Sequence, residues 1–372
     1  MNEFVLRTRI TQFSTISEFA QHFQPDEQDC ILTSRFLTNI FQIPQLIGIP
    51  RMIAEDYGQG EPTDQMIDAM RRDLPASVRR LIAVGGGTIL DIAKFLSLDY
   101  SGTLDDCLMG KVKYKRARDL IVIPTTCGTG SEVTNVAIAE LVKRKMKKGL
   151  ADDSLYPSQA VLIPQLINSL PYKVFATSSI DALIHAVESF LSPQATVYSR
   201  LFSTAAIRLI LLGYRQIEID GKDSWPALAE DFLLASNYAG IAFGNAGCAA
   251  VHALSYPLGG AYHIPHGEAN QLLFEAVCRK YEQCDPCGRL AELKQLLSEI
   301  LQTPVKQSLQ ALYTLMNYVL KRRPLCEYGV RWDELESFAD NVIAGQQRLL
   351  KNSCVPLNKA DMLEIYQSIY NQ

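Results

Sequence analysis

The sequence predicts two domains: a doubly wound α/β domain over residues 1–170, followed by an all-helical domain over residues 171–372. Short apolar runs alternate with helical patterns up to about residue 170, which is typical of a parallel sheet covered by helices. From Pro171 onward, apolar residues recur at helical spacing and strand signals are absent. A length of 372 residues also favours two domains over one.

The elements of the first domain follow from its apolar runs. Strands are predicted over residues 29–33, 81–84, 120–123 and 160–163. Helices are predicted over residues 64–72 and over the segment that begins at Thr88, where the apolar side chains fall on one face. Residues 46–51 give no clear prediction. The basic runs 111–118 and 143–148 are interpreted as a solvated loop and as a hairpin or loop.

The second domain is predicted to contain only helices. Seven segments have helical apolar periodicity, namely residues 173–191, 196–215, 226–256, 268–283, 288–301, 306–320 and 332–350. Pro257, Gly259 and Gly260 are expected to break the third of these helices. Residues 232–267 contain no Asp, Glu, Lys or Arg, yet they include three of the five histidines. Their glycine, asparagine and histidine residues favour helices buried in a soluble core over a membrane span.

Bulk composition excludes several classes of function. The net charge of −4 provides no overall basic field to attract nucleic acid or an anionic membrane. Residues 1–13 contain Glu3 and no apolar core, so no signal peptide is predicted. Nine scattered cysteines then favour reduced thiols and a cytoplasmic location. Cys284 and Cys287 form a single C-x-x-C pair, which is only half of a four-ligand zinc site.

Two glycine-containing turns are candidates for binding phosphate groups. Gly85, Gly86 and Gly87 follow a predicted strand, and Thr88 begins the next helix, so free amide groups could approach a phosphate closely. The spacing is not G-x-G-x-x-G, and a turn without a ligand explains the first cluster equally well. A second predicted strand ends in a similar loop, which makes a dinucleotide site the better interpretation. The candidate residues in this loop are Thr125, Thr126, Thr129 and Ser131.

Four side chains form a candidate metal site. Asp181 and His185 are four residues apart on a predicted helix and therefore share one face. Alone, this pair would more often be a hydrogen-bonded core pair. His252 lies on the uncharged helical segment, and His266 follows it after a turn. One carboxylate and three imidazoles suit Fe²⁺ or Zn²⁺, and such an ion could polarise a hydroxyl or carbonyl oxygen of a substrate.

These motifs resemble a known family. GGGTILDIAK, PTTCGTGSEVT, DALIHAVE and HALSYPLGGAYHIPHGEAN occur in the order found in the iron-dependent (group III) alcohol dehydrogenases. The resemblance extends over about residues 30–350. It implies an N-terminal dinucleotide-binding domain and a C-terminal helical metal domain, an architecture shared with the dehydroquinate synthases. Within the family, the sequence looks most like the 4-hydroxybutyrate dehydrogenases.

The resemblance also implies roles for individual residues. The metal ligands of the family correspond to Asp181, His185, His252 and His266. Its cofactor-binding residues correspond to Gly85, Gly86, Gly87, Thr88, Thr125, Thr126, Thr129 and Ser131, and its ribose-contacting lysine corresponds to Lys147, with Lys148 as the alternative.

The sequence departs from the family at two places. Tyr256 stands where many members have a histidine credited with proton relay, and His263 stands where many have Asp or Asn. Both are therefore candidates for a catalytic or substrate-binding role. Ser34 and Arg35 replace the Asp that holds the ribose 2′-hydroxyl in many NAD-using members, so NADP stays open beside NAD.

The implied reaction is reversible hydride transfer between NAD(H) and a small alcohol or aldehyde. The substrate pair implied by the resemblance is 4-hydroxybutyrate and succinate semialdehyde, whose carboxylate needs a partner such as Tyr256, Tyr262 or His263. A dehydrogenase for another alcohol or diol is one alternative, and a dehydroquinate synthase-like lyase is another. The resemblance further implies a homodimer or a larger homo-oligomer.

Overall fold

The computed structural model describes residues 3–371 and divides them into two compact units. One unit contains residues 6–169, and the other contains residues 170–371 together with residues 3–5. Residues 3–5 belong with the helical unit because the Val5 amide donates to the Asn245 side chain at 2.6 Å and the Asn245 amide donates back to the Val5 carbonyl at 3.0 Å. The Phe4 ring also stacks on Phe202, with 5.9 Å between centroids.

The first unit contains a six-stranded sheet in which all neighbouring strands are parallel, in the order β1-β10-β7-β4-β2-β3. Its strands are β1 (Arg9–Gln12), β2 (Asp29–Thr33), β3 (Arg51–Ile53), β4 (Arg80–Gly85), β7 (Asp119–Pro124) and β10 (Gln159–Leu162). Two antiparallel pairs lie outside this sheet: β5 (Leu98–Tyr100) with β6 (Tyr114–Arg116), and β8 (Val136–Leu141) with β9 (Met146–Ala151). The helices are α1 (Ile16–Phe23), α2 (Asp64–Asp73), α3 (Gly87–Leu96) and α4 (Leu104–Leu108).

The register of the sheet brings four strand ends to one edge. Thr33 of β2 is paired with both Val84 of β4 and Ile53 of β3. Gly85 of β4 is paired with Pro124 of β7. Since parallel strands point the same way, the residues that follow β3, β2, β4 and β7 share the carboxyl edge, where open α/β sheets bind ligands.

The second unit is helical throughout the residues that the structure describes. It contains α5 (Tyr172–Leu191), α6 (Val197–Asp220), α7 (Ala229–Ala246), α8 (Ala250–Tyr262), α9 (His266–Cys284), α10 (Arg289–Leu301), α11 (Ser308–Val319), α12 (Leu335–Gly345), α13 (Gln347–Leu350) and α14 (Lys359–Ser368), with short 3₁₀ turns between them. Among residues 3–371, only α5 is long and apolar enough to cross a bilayer. In its most apolar 18-residue stretch, 83% is buried inside the structure. Such burial is typical of a central core helix.

The predicted fold class is confirmed, and the structure corrects two local predictions. The break expected at Pro257, Gly259 and Gly260 is wrong, because α8 continues through these residues. The long segment is instead divided at Gly247, where φ is +79° and a Cβ would lie 2.2 Å from Asn352 Nδ2. Residues 111–118 are not wholly a solvated loop, because they contain β6, and Arg116 donates to the Tyr156 carbonyl at 2.6 Å.

Of the two interpretations given for residues 143–148, a hairpin or a loop, the structure shows the hairpin, which joins β8 and β9. Several other elements were missed. The missed elements include β1, the β5–β6 pair and α14. The edge strand β1 is mostly exposed and lacks a continuous apolar run, so its sequence gives a weak strand signal.

Candidate cofactor and metal sites

The glycine turn is packed directly against the second loop. Gly85 ends β4, and α3 begins at Gly87. A Cβ on Gly87 would lie 2.7 Å from Thr129 Cγ2, and one on Gly86 would lie 3.3 Å from Thr126 Cγ2. The amide of Thr125 donates to the Gly85 carbonyl at 3.0 Å. The two predicted turns therefore form one surface at the carboxyl edge of the sheet, next to the free amides of the first turn of α3.

A buried lysine, joined through Ser131 to the carboxylate of Asp91, supports this loop and was not predicted. Lys94 is fully buried, and its ammonium donates to Ser131 Oγ at 2.8 Å, to Thr134 Oγ1 at 3.1 Å and to the Val136 carbonyl at 2.7 Å. Ser131 Oγ in turn donates to the Asp91 carboxylate at 2.7 Å. The available signal was the placement of Asp91 and Lys94 three residues apart on an otherwise apolar helix.

Burial shifts the pKa values of both Lys94 and Asp91. Loss of hydration raises the pKa of Asp91 and lowers the pKa of Lys94 to about 8, although each charge partly offsets the effect on the other. In the unfolded chain Lys94 keeps its proton up to about pH 10.4. Between these two pH values the unfolded state binds more protons than the folded state, so stability rises with pH.

We therefore expect the Lys94 contribution to stability to increase between about pH 8 and 10, by at most about 3 kcal/mol. The measurement is urea denaturation at several pH values, comparing the native chain with Lys94→Met, in which this increase should be missing. Lys115→Met, which removes an exposed ammonium from β6, serves as the control and should keep the native pH dependence. Identical pH dependence in the native chain and Lys94→Met would contradict the expectation.

Lys147, the predicted ribose-contacting residue, lies on β9. Its ammonium forms an ion pair with Glu61 and is 28% exposed. Lys148 instead points towards the sulfur of Met109, with Nζ 3.7 Å from Sδ. The two lysines thus have different surroundings, and Lys147 is held by a carboxylate.

The four candidate metal ligands converge in the helical unit. Asp181 and His185 lie on α5, His252 lies on α8, and His266 is the first residue of α9. One donor atom from each lies within 4.8 Å of all the others. From the Asp181 carboxylate, His252 Nε2 is 3.6 Å away, His266 Nε2 is 3.7 Å away and His185 Nδ1 is 3.9 Å away.

Burial differs within this group of ligands. Asp181, His185 and His252 are buried, whereas the side chain of His266 is 41% exposed. Burial opposes ionisation of Asp181, but the neighbouring imidazoles of His185, His266 and His252 outweigh it and lower the pKa of this carboxyl group. The site therefore combines a persistent negative charge with one side that faces solvent.

Glu188 and Asn270 complete the cluster, and neither was predicted. Glu188 lies one further turn along α5, and its carboxylate is 2.5 Å from His252 Nδ1. It also accepts the amides of Ala249 and Val251, at 2.9 and 2.7 Å, at the start of α8. A carboxylate on the far nitrogen of a ligand histidine orients the ring towards a metal. The signal for Glu188 was its helical spacing of three residues from His185.

The side-chain amide of Asn270 lies among the candidate ligand atoms and shows where their acceptor groups point. Its Nδ2 lies 2.8 Å from Asp181 Oδ1, 3.2 Å from His252 Nε2 and 3.3 Å from His266 Nε2. Several atoms that can accept a hydrogen bond or bind a cation thus point at one small volume. A carboxylate and imidazoles in this arrangement match the donor set that Fe²⁺ or Zn²⁺ prefers.

Of Tyr256 and His263, the two catalytic candidates, the first contacts a candidate metal ligand. The ring of Tyr256 stacks on His266, with 6.2 Å between centroids. His263 is exposed and ends α8 in a left-handed conformation, with φ of +52°. The hydroxyl of Tyr262 is bonded to Glu334, so Tyr262 already has a carboxylate partner.

Comparisons with known proteins cover almost all of the chain. The family model "Iron-containing alcohol dehydrogenase" matches residues 10–164, and "Fe-containing alcohol dehydrogenase family, C-terminal" matches residues 175–370. The 4-hydroxybutyrate dehydrogenase of Clostridium kluyveri is 48% identical over 362 residues, which cover 97% of this chain and 98% of that protein. The long-chain-alcohol dehydrogenase 1 of Geobacillus thermodenitrificans is 36% identical over 300 residues, covering 78% of this chain and 74% of that protein.

Solved structures agree at the level of the fold. The sulfoacetaldehyde reductase of Bifidobacterium kashiwanohense, in complex with NAD⁺, superposes with a TM-score of 0.85 at 22% identity and covers 100% of this chain and 99% of that one. A 1,3-propanediol oxidoreductase superposes with a TM-score of 0.81, also at 22% identity, with both chains fully covered. The family models and the long, close sequence match establish that this chain belongs to the iron-containing alcohol dehydrogenase family.

Proposed function

We propose that the protein catalyses reversible hydride transfer between NAD(H) and a small carboxylated alcohol, with 4-hydroxybutyrate and succinate semialdehyde as the substrate pair. The observation that carries this proposal is the convergence of Asp181, His185, His252 and His266 on one small volume. The 48% identity to the 4-hydroxybutyrate dehydrogenase of Clostridium kluyveri supports the choice of substrate.

In this proposal Asp181, His185, His252 and His266 hold one divalent cation, Fe²⁺ as the family name suggests or Zn²⁺ as the alternative. When bound, the cation supplies Lewis-acid polarisation of the substrate oxygen. Asp181 neutralises one of its two charges, and Glu188 fixes the ring of His252 so that Nε2 points inward. His266, with its exposed side chain, holds the side of the cluster that a substrate can reach.

The cofactor residues act through shape and hydrogen bonding. Gly86 and Gly87 leave room for backbone amides to approach a pyrophosphate, while Thr126 and Thr129 pack behind them. The remaining cofactor residues in the proposal are Gly85, Thr88, Thr125, Ser131 and Lys147. Asp91 and Lys94 are positioning residues, because both hydrogen-bond to Ser131 and hold its side chain in place.

We assign proton transfer to the segment between the ligands His252 and His266. Removal of a hydride from an alcohol carbon also requires loss of the hydroxyl proton, and an imidazole suits that task near neutral pH. His263 lies three residues before His266 and is exposed, so it can exchange a proton with solvent. Tyr256 packs on His266 and supplies a hydroxyl near the same ligand.

The test of the substrate is a comparison of kcat/KM for 4-hydroxybutyrate and 1-butanol with NAD⁺. Butanol has no carboxylate, so it would leave the polar groups that pair with the substrate carboxylate without a partner. We therefore expect a preference of roughly 100-fold or more for 4-hydroxybutyrate. No preference for the carboxylated alcohol would favour a dehydrogenase for another alcohol, as in the long-chain relative. Substrate conversion without net accumulation of NADH would favour the lyase alternative.

Replacement of Glu188 by Gln should weaken the metal site without removing a ligand. The loss of charge on the partner of His252 Nδ1 is expected to lower metal affinity about 10- to 100-fold. Competition with a fluorescent chelator measures the affinity. Glu275→Gln is the matched control, because Glu275 is a partly buried carboxylate on α9 that pairs with Arg279 and Arg322 instead. Equal affinities for both variants would contradict the role of Glu188.

Two further parts of the proposal concern the cell and the assembly. We expect the protein to act in the cytoplasm, where the nine cysteines stay reduced. We also expect a homodimer or a larger homo-oligomer, which light scattering of the purified protein would measure.

A further inference from the structure

The strand next to the glycine strand is followed by residue types that are unusual for an NAD-binding site. In nucleotide-binding sheets of this type, an acidic residue at the end of the strand next to the glycine strand bonds the ribose 2′-hydroxyl, whereas an arginine there accommodates a 2′-phosphate. In this chain β2 lies next to β4 and is followed by Ser34 and Arg35. Residue type alone would therefore favour NADP.

The next strand supplies the missing carboxylates. Because Ile53 is paired with Thr33, the residues after β3 lie beside those after β2 at the carboxyl edge. Glu55 accepts the backbone amide of Arg35 at 3.0 Å, and Asp56 forms an ion pair with the Arg35 guanidinium. Arg35 is thus held by two acids, one on its backbone and one on its side chain.

The charges of these three residues sum to −1. A 2′-phosphate carries about −1.5 to −2 at neutral pH, on the scale of other phosphate monoesters. It would meet this net negative charge and would compete with Asp56 for the Arg35 guanidinium. A ribose 2′-hydroxyl is neutral and needs only a hydrogen-bond acceptor, which a carboxylate such as Glu55 provides.

We propose that Glu55 and Asp56 select NAD over NADP by neutralising Arg35 and by presenting acceptors to the ribose 2′-hydroxyl. The selection therefore comes from residues that follow β3 and not from the residue that directly follows β2. The inference rests on the proposed use of NAD, and it adds the residues that make the choice. It also assigns Arg35 a latent capacity to bind a phosphate once Asp56 no longer occupies its guanidinium.

Direct titration of the purified full-length protein with NADH and with NADPH, followed by nicotinamide fluorescence, tests this without any turnover. We expect the native chain to bind NADH at least tenfold more tightly than NADPH. Asp56→Asn should lower the Kd for NADPH about tenfold, a gain in binding free energy of about 1.4 kcal/mol. The Kd for NADH should change less than threefold. Glu55→Gln should weaken NADH binding and reduce the preference for it.

Two further variants make the test specific. Adding Arg35→Gln to Asp56→Asn should remove the gain in NADPH affinity, since the gain depends on the released guanidinium. Asp99→Asn, which removes one exposed acidic charge from β5, should leave both affinities unchanged and so excludes a general charge effect. An unchanged preference in both Asp56→Asn and Glu55→Gln would overturn the proposal, and so would equal binding of both nucleotides by the native chain.

The outcomes separate this inference from the proposed function. Selective NADH binding that is lost in the variants supports the inference even if 4-hydroxybutyrate is not turned over, in which case only the substrate is wrong. A native chain that binds neither nucleotide overturns the inference together with the proposed cofactor.

Discussion

Replacement of Asp181 by Ala is expected to abolish metal binding and reduce kcat by roughly 10³-fold or more, because a bound cation contributes several kcal/mol to transition-state stabilisation. Asp181 supplies the only carboxylate among the four candidate ligands, and its Oδ1 is the atom on which His252, His266 and Asn270 converge. The measurement is metal analysis of the purified protein alongside steady-state turnover.

Two controls distinguish loss of the metal from loss of the fold. Asp181→Asn preserves the volume of the side chain, so a similar loss of metal in this variant would assign the effect to the charge. NADH affinity of Asp181→Ala should stay within about threefold of the native value, because the variant leaves every proposed cofactor-binding residue in place. Native metal content and native kcat in Asp181→Ala would refute the site.

Replacement of Gly267 by Ala is expected to distort the same site through its backbone. A Cβ at this position would lie 2.1 Å from the Thr177 carbonyl oxygen and 3.2 Å from Asp181 Cβ. The start of α9 would have to move away from α5, which separates His266 from Asp181. Overpacking of this kind costs about 1–3 kcal/mol, so we expect a Tm lower by roughly 5 °C and metal affinity reduced by tenfold or more.

Gly260→Ala is the matched control for Gly267→Ala. Gly260 is also helical, at the end of α8, and nothing lies within 4 Å of a Cβ built on it. Its replacement should leave metal content unchanged and Tm unchanged or slightly higher, since Ala favours helix over Gly. A normal metal content in Gly267→Ala would show that α9 can shift without disturbing the ligands, and would contradict the prediction.

Local sequence patterns were sufficient to predict the features that depend on neighbouring residues. The pairing of Asp181 with His185 follows from helical spacing, and the glycine turn follows from three consecutive glycines after a buried strand. Both sets of residues lie where the patterns placed them, on α5 and at the start of α3. The assignment of these residues as ligands and cofactor contacts stays a prediction for the experiments above.

Features that depend on distant contacts could not be predicted. Glu188 bonds His252 only because α8 begins against α5, and no pattern within either segment specifies that contact. The same holds for the helix break, where Gly247 is required by the approach of Asn352, 105 residues away, whereas Pro257 is tolerated within α8. Glycine and proline residues indicate where a helix can end, but tertiary packing decides at which of them it does end.

The origin of the metal ligands on three different helices links metal availability to folding. Residues 181, 185, 252 and 266 are far apart in an unfolded chain, so a cation that needs all four binds only the folded helical unit. By mass action, such a cation stabilises that unit by about 2.7 kcal/mol when its free concentration is 100 times the Kd. A cell that limits this metal would therefore also reduce the lifetime of the protein, not only its activity.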